Sequence, residues 1–270
     1  MIFLIFLSIF ILGAAIGSFL NVLIGRLPKG EKITGRSHCD HCRKKLRWYD
    51  LIPILSFFIL DRKCRYCHKK LSWQYPIVEI ITGISFVLIT NYQIPITRQF
   101  SNIRSLGNWS LFGYWLLVIG LLSSFIVIFF SDLKYHLISD YVLITLFIFS
   151  FFYKLFNNVT IQQFSNFFLS GLIVALPIFL IYYFSKERAM GLGDVYLSTI
   201  IGFLLGWKRG YLALYIAVIT GAIFGLVLIV LKKKKLQSKI AFGPFIVIGT
   251  IVMLFWGEKI MEIIKKIYGF

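Results

Sequence analysis

The sequence predicts an all-α polytopic membrane protein with a small cysteine-rich lobe. Hydrophobic residues make up 59% of the 270 residues and the mean hydropathy is +0.83, whereas soluble domains are about 45–50% apolar. A membrane-spanning helix needs about 20 mostly apolar residues. That criterion predicts seven or eight transmembrane helices, over about 2–24, 75–93, 110–131, 137–156, 166–184, 194–207, 210–231 and 240–257.

Two of these segments, and one shorter apolar stretch outside them, need separate justification. The stretch 2–24 has no basic residue before its apolar run and no A-x-A cleavage pattern before Arg26, so we expect a retained helix. The stretch 194–207 is the shortest, which predicts a half-span or a tilted helix in a thinned bilayer. The segment 50–60, DLIPILSFFIL, is too short to span, so it should lie at the membrane interface or pack on the lobe. No internal repeat is evident.

Basic residues predict the orientation. The chain has 29 Lys and Arg against 11 acidic residues, a net charge of +18; such an excess collects in the cytoplasmic loops of membrane proteins. Residues 25–74 carry 13 of the cations, which predicts a cytoplasmic lobe and an external N-terminus. Lys134, the Lys186–Arg188 turn and the Lys232–Lys235 run then fall inside, and the uncharged stretch 157–163 falls outside. Lys208, Arg209 and the Lys265–Lys266 pair fall outside against the rule, so the helix count after the fifth span stays open.

The four cysteines predict a metal site. Cys39, Cys42, Cys64 and Cys67 form two C-x2-C pairs separated by 21 residues, close to the spacing of zinc-ribbon sites with four thiolate ligands. Zinc is the expected ion and iron the second choice. Four unligated thiols or two disulfides are the alternative. Three nearby histidines are expected outside the ligand set, because four thiolates already complete it: His38, His41 and His68.

Two aspartates are the candidate catalytic pair. Acidic residues in or at the ends of membrane helices are costly and therefore functional candidates. Asp132 and Asp194 should lie at the cytoplasmic ends of different spans, where they could share one proton and hydrolyse a peptide bond. Gly191 and Gly193 precede Asp194 in a G-x-G-D pattern that leaves room for a substrate strand. The alternative is that each aspartate caps a helix or pairs with Lys134 or Arg188.

Two further acids are expected to support the pair. Glu79 lies in the second predicted span, and Asp140 follows Asp132 by eight residues. Eight positions along one helix turn a side chain by about 80°, so Asp140 should be poorly aimed at the substrate of Asp132.

Together these motifs resemble the type IV prepilin peptidases, the leader peptidases and N-methyltransferases of pilus, type II secretion and competence systems. The resemblance covers nearly the whole chain. It rests on GSFLNV at 17–22, RLP at 26–28, SHCDHC at 37–42, DLIP at 50–53, YP at 75–76 with Glu79, Asp132 with Asp140, MGLGD at 190–194 and FGPF at 242–245.

The resemblance implies cleavage of a short basic leader from prepilins or pseudopilins at the cytoplasmic face of a bacterial cell membrane. It also implies methylation of the new N-terminus with S-adenosylmethionine. The expected domains are a first transmembrane helix (1–24), a four-cysteine lobe associated with methyl transfer (25–74) and a peptidase membrane domain (75–270). Anionic lipids are expected partners, and nucleic acid is not.

Three residues depart from the family pattern: Ser139 replaces a proline, Tyr196 a lysine and Arg62 a glycine. The last lies beside the second cysteine pair, so methylation is a less secure expectation than cleavage. Two other classes stay open. A transporter or channel would use the membrane acids as ion sites, and a metal-sensing scaffold would need only the cysteines.

Overall fold

The computed structural model describes residues 2–90, 108–156, 161–188, 190–232 and 240–268; this part is mainly helical, apart from the lobe between residues 30 and 73, which consists largely of turns and short helical segments. Apolar segments in lipid fold as helices because a helix satisfies its own backbone hydrogen bonds. The helices are α1 (Ile2–Arg26), α2 (Leu55–Ile59), α3 (Gln74–Thr90), α4 (Asn108–Tyr135), α5 (Asp140–Phe156), α6 (Ile161–Ser185), α7 (Leu192–Leu205), α8 (Trp207–Val230) and α9 (Gly243–Tyr268).

Each predicted span corresponds to one helix. Among the described residues, five helices are long and apolar enough to cross a membrane, and α3 and α7 are shorter apolar helices. With 14 residues, α7 is about 21 Å long, less than a hydrocarbon core of about 30 Å, so it is shorter than a full span, and a half-span or a tilted helix in a thinned bilayer both stay open. Helix α9 continues 11 residues beyond the predicted end at 257, because its last turns alternate apolar and charged residues at helical spacing.

The chain divides into two compact units, Met1–Tyr92 and Gln93–Phe270. In the first unit, α1 and α3 approach closely at small residues. A Cβ added to Gly13 would lie 2.9 Å from the Gly83 Cα, and one added to Gly17 would lie 2.8 Å from the Glu79 Cα. Such close backbones are a common mode of packing between membrane helices. Helix α3 therefore groups with α1 and the lobe, in place of the expected boundary after residue 74.

In the second unit, α4 to α9 pack on one another through glycines and aromatic rings. A Cβ on Gly202 of α7 would lie 2.7 Å from the backbone oxygen of Ser170 on α6. The buried ring of Phe203 contacts four other rings, those of Phe147, Phe164, Phe167 and Phe168. The orientation in the membrane stays a prediction. Two of the loops on which it depends lie partly outside the described residues, at Asn157–Thr160 and Lys233–Lys235, and so does the end of the span predicted at 75–93.

The lobe contains a repeat, so the expectation of none was wrong. Residues 39–48, CDHCRKKLRW, and 64–73, CRYCHKKLSW, are identical at six of ten positions. Each repeat begins with the same turn, in which the first cysteine accepts a hydrogen bond from the backbone N–H four residues later and donates one to the carbonyl five residues later. The pairs are Arg43 to Cys39 at 3.0 Å, His68 to Cys64 at 2.9 Å, Cys39 to Lys44 at 3.0 Å and Cys64 to Lys69 at 2.9 Å.

The segment 50–60 joins the two repeats and packs on them. Asp50 accepts a 2.7 Å hydrogen bond from Nε of Arg65 in the second repeat, and Phe57 is buried against Trp73. The apolar side chains of Leu55, Phe58 and Ile59 remain exposed. Contact with the membrane interface is therefore still a prediction, whereas packing on the lobe is confirmed.

Candidate active site and metal centre

Asp132 lies in the last turn of α4, and only 6% of its surface is exposed. The chain turns sharply just after it. The backbone oxygen of Asp132 accepts a hydrogen bond from the His136 N–H, and Ser131 Oγ donates to the Leu137 oxygen at 2.9 Å. These bonds end the helix and fix the position of Asp132.

The carboxyl group of Asp132 is held by the start of α9. Its Oδ2 accepts a 2.9 Å hydrogen bond from the backbone N–H of Gly243, the first residue of that helix. A Cβ on Gly243 would lie 2.8 Å from the same oxygen, so any larger residue there would displace the carboxyl group. The sequence showed the FGPF motif but not this contact, which joins residues 111 positions apart.

Asp194 lies in the first turn of α7, where its Oδ2 accepts a long, 3.4 Å hydrogen bond from the Gly191 N–H. Ile138 packs against both the glycine that precedes Asp194 and the glycine that bonds Asp132. A Cβ on Gly193 would lie 3.1 Å from the Ile138 Cβ, and one on Gly243 would lie 3.2 Å from the Ile138 Cδ1. The structure therefore brings the two predicted acids to one place in the second unit.

The two glycines of the G-x-G-D pattern differ in their surroundings. Gly193 is packed against Ile138, whereas a Cβ on Gly191 would meet nothing closer than 4.0 Å. Open space beside Gly191 is what the expected extended substrate strand requires, while Gly193 is small for a reason internal to the fold.

The two supporting acids are not part of this pair. Asp140 is the first residue of α5 and is exposed. It lies on the helix after that of Asp132, as the predicted spans indicate, so the argument from rotation along one helix was wrong. Glu79 belongs to the first unit, where it is buried and accepts a 2.7 Å hydrogen bond from the Ile54 N–H.

The four cysteines converge in the lobe. Their Sγ atoms all lie within 4.8 Å of one another, and those of Cys39 and Cys67 are 3.9 Å apart. Four thiolates at about 2.3 Å from one zinc ion are about 3.8 Å apart, so the donor set fits a tetrahedral metal. The cysteines are unpaired thiols, not the two disulfides of the alternative.

The thiols titrate differently before any metal binds. Burial raises the pKa of the Cys39 thiol to about 11. Burial acts on Cys64 in the same direction, but hydrogen bonds from the backbone N–H groups of Cys67 and Tyr66 lower the pKa of its thiol to about 7. The cluster can therefore present a thiolate near neutral pH, the form that binds metal.

The departure at position 62 has a backbone explanation. Arg62 has φ of 59°, in the left-handed region that glycine adopts at little cost. Arginine adopts it here while its guanidinium lies 5.1 Å from the centre of the Trp73 ring, a distance that allows a cation–π contact. Local turn geometry therefore accounts for the glycine that related sequences place here.

Removing the metal ligands should unfold the lobe. We expect Cys64→Ser to lose the bound zinc and to make residues 37–73 sensitive to protease, because the metal replaces a hydrophobic core in so small a segment. Zinc content and limited proteolysis measure this. His41→Ala is the matched control and should keep the metal; equal metal content in wild type and Cys64→Ser would contradict the site.

The fold and these contacts define a class: a polytopic membrane protein with two helix-end aspartates brought together in one unit and a four-thiolate lobe in the other. The sequence profile for the bacterial peptidase A24 N-terminal domain matches residues 11–92, and that for the type IV leader peptidase family matches residues 115–226. The chain belongs to this family of prepilin peptidases.

Individual relatives match over almost the full length. The chain is 28% identical to a prepilin leader peptidase/N-methyltransferase of Legionella pneumophila, with 95% of this chain and 93% of the relative covered. It is 28% identical to the protein of that name from Bacillus subtilis, with 96% and 97% covered. No solved structure matches.

Proposed function

We propose that this protein removes the leader peptide from prepilin-like precursors, with Asp132 and Asp194 as its catalytic residues. The observation that carries the proposal is the convergence of these two acids, 62 positions apart in the sequence, within a unit whose sequence matches the leader peptidase family. The names of the relatives, prepilin leader peptidase/N-methyltransferase, supply the substrate class.

The contacts support different roles for the two acids. Asp132 accepts an N–H at the N-terminus of α9, where the helix dipole stabilises a carboxylate. We assign it as the base that takes a proton from water while the water oxygen attacks the scissile carbonyl carbon. Asp194 has only the long bond from Gly191, and we assign it as the protonated partner that donates to the carbonyl oxygen.

Breakdown of the tetrahedral intermediate completes the cleavage. The proton held by Asp132 passes to the leaving nitrogen as the carbon–nitrogen bond breaks, and Asp194 recovers its proton from the hydroxyl of the intermediate. The open side of Gly191 gives an extended substrate room to approach Asp194. We place this reaction at the cytoplasmic face of a bacterial cell membrane, in line with the distribution of basic residues.

The first unit is proposed to serve the second activity in the relatives' names, N-methylation of the newly exposed N-terminus. S-adenosylmethionine would supply an electrophilic methyl group. The zinc ion would be held by Cys39, Cys42, Cys64 and Cys67 and would order the lobe without taking part in either reaction. Anionic lipids are proposed to contact the basic surface.

Co-expression with several prepilins tests the proposal, with leader removal and N-methylation scored separately by mass spectrometry. We expect wild type to process at least one prepilin and the Asp132→Asn/Asp194→Asn double variant to process none. Equal processing by both proteins would refute the catalytic assignment. A wild type that leaves every leader intact would refute the proposed substrate class and favour a transport or scaffold role.

A further inference from the structure

A buried polar cluster lies between α1 and α3 and takes no part in either the aspartate pair or the metal site. Asn21 is 6% exposed and Glu79 is 7% exposed. The Asn21 amide donates from Nδ2 to the Tyr75 oxygen at 3.0 Å. Glu79 accepts a hydrogen bond from the Ile54 N–H.

One acceptor in this cluster has no donor. Asn21 Oδ1 is buried and has no hydrogen-bond partner among the residues that the structure describes. An unsatisfied acceptor is expensive inside a protein and more so at membrane depth, where water is scarce. A side chain retained in this state is suited to a ligand that brings an N–H or O–H group.

The acceptor and the carboxylate lie on neighbouring turns of the two helices. Gly17 allows α1 to approach α3 at the backbone of Glu79. Ser18 is the next residue and Asn21 is one turn further along α1, while Tyr75, which Asn21 contacts, is one turn before Glu79 on α3. The amide of Asn21 and the carboxylate of Glu79 thus belong to adjacent turns of the same contact between α1 and α3.

The chain beside Glu79 adopts a strained turn. Ile54 has φ of 64° and ψ of −53°, and the Leu55 N–H donates to the Pro53 oxygen at 2.6 Å. This is the geometry of a classic γ-turn, which is rare and strained, particularly for a β-branched residue. The strain is retained while the turn presents its N–H to the carboxylate, so a ligand that replaced this donor would allow the turn to relax.

We propose that Asn21 and Glu79 bind the primary amine that is methylated, the N-terminus of the cleaved pilin. The inference rests on the proposed function and deepens its second activity. A protonated amine offers three N–H donors and a positive charge, which suit a cluster with an unpaired acceptor and a buried carboxylate. An anionic ligand fits neither group.

The same contacts prepare the amine to react. Glu79 takes one proton from the ammonium group, and Asn21 Oδ1 accepts a remaining N–H and orients the freed lone pair. The nitrogen then forms a bond to the methyl carbon of a sulfonium donor, while the carbon–sulfur bond breaks and its electron pair stays on sulfur as a thioether. Glu79 later releases its proton to water.

Peptide binding tests the site without requiring turnover. The probes are two peptides with the mature N-terminal sequence of a prepilin that the enzyme processes, one with a free amine and one acetylated, with fluorescence anisotropy on the full-length zinc-loaded protein in detergent. We expect wild type to bind the free amine at least tenfold more tightly. Hydrogen bonds to charged groups commonly give an effect of about this size or larger.

Four variants make the test specific. Asn21→Ala and Glu79→Gln should bring the affinity ratio near one and lower methylation at least tenfold, with leader cleavage within twofold of wild type. Asn21→Asp keeps an acceptor and should keep most of the preference. Thr82→Val, which removes another buried hydroxyl of α3 bonded within its own helix, is the matched control and should match wild type.

Several outcomes would overturn the proposal. One is a wild type that binds both peptides equally, and another is an unchanged ratio in folded Asn21→Ala and Glu79→Gln proteins, with folding judged by zinc content and thermal midpoint. A lower midpoint in Asn21→Ala without a change in the ratio would assign Oδ1 to a structural water. None of these results affects leader cleavage, whose absence in wild type would instead refute the proposed function.

Discussion

Replacing Asp132 by asparagine is expected to lower leader cleavage by about 10²–10⁴-fold, the usual loss when a general acid or base is removed, while the fold stays intact. The asparagine side-chain oxygen can still accept the hydrogen bond from Gly243, so the start of α9 keeps its contact. Asp132→Ala should be equally inactive but also less stable, by about 1–3 kcal/mol, because it leaves a buried N–H unpaired.

Initial rates on a purified prepilin and thermal midpoints measure the two effects separately. The matched control is Asp140→Asn, which should cleave at the wild-type rate because Asp140 is exposed at the start of α5. Equal stability of the alanine and asparagine variants would show that the bond to Gly243 contributes little. Residual cleavage by Asp132→Asn at the wild-type rate would remove Asp132 from the mechanism.

Gly243→Ala is expected to produce the second largest effect, a loss of cleavage of up to about 10²-fold, the cost that a misplacement of about 1 Å can have. The new methyl group would lie 2.8 Å from Asp132 Oδ2 and 3.2 Å from Ile138 Cδ1. Because these contacts are too short, the carboxyl group must move away from its present position.

The loss should appear mainly in kcat, since substrate contacts at Gly191 are unchanged. Gly113→Ala is the control: it also places a methyl group in the second unit, but its nearest neighbour is at an ordinary 3.5 Å. Steady-state kinetics of both variants and wild type measure the effect. A Gly243→Ala enzyme with wild-type kcat would show that the carboxyl group can shift without cost.

Much of the site could be predicted because it uses residue types that are rare in this chain. Eleven acidic residues and four cysteines leave few candidates in a sequence so apolar. The four cysteines cluster as expected, whereas the catalytic role of the two aspartates stays a prediction. The spacing C-x2-C by itself predicts a tight turn that presents two thiolates to one metal ion. Asp132 and Asp194 needed the further argument that helix ends on one side of a membrane can meet.

The remainder depends on contacts that no local pattern encodes. The role of Gly243 requires knowing that the start of α9 reaches Asp132. The predicted spans 110–131 and 137–156 separate Asp140 from Asp132, but no proline or glycine between 136 and 139 marks the turn itself; His136 instead adopts a φ of 52° there. Glu79 was predicted to support the aspartate pair because it is an acid in a membrane span; its contact with α1 in the first unit could not be predicted from the sequence.

The two repeats of the lobe expose their ligands unequally, and this sets the order in which the metal site reacts. Cys39 and Cys64 are buried, whereas Cys42 and Cys67 are partly exposed. Chelators and oxidants therefore reach the second cysteine of each pair first. Metal exchange should begin by substitution at these outer thiolates while the inner two retain the ion, and the first disulfide formed under oxidative stress should include an outer sulfur.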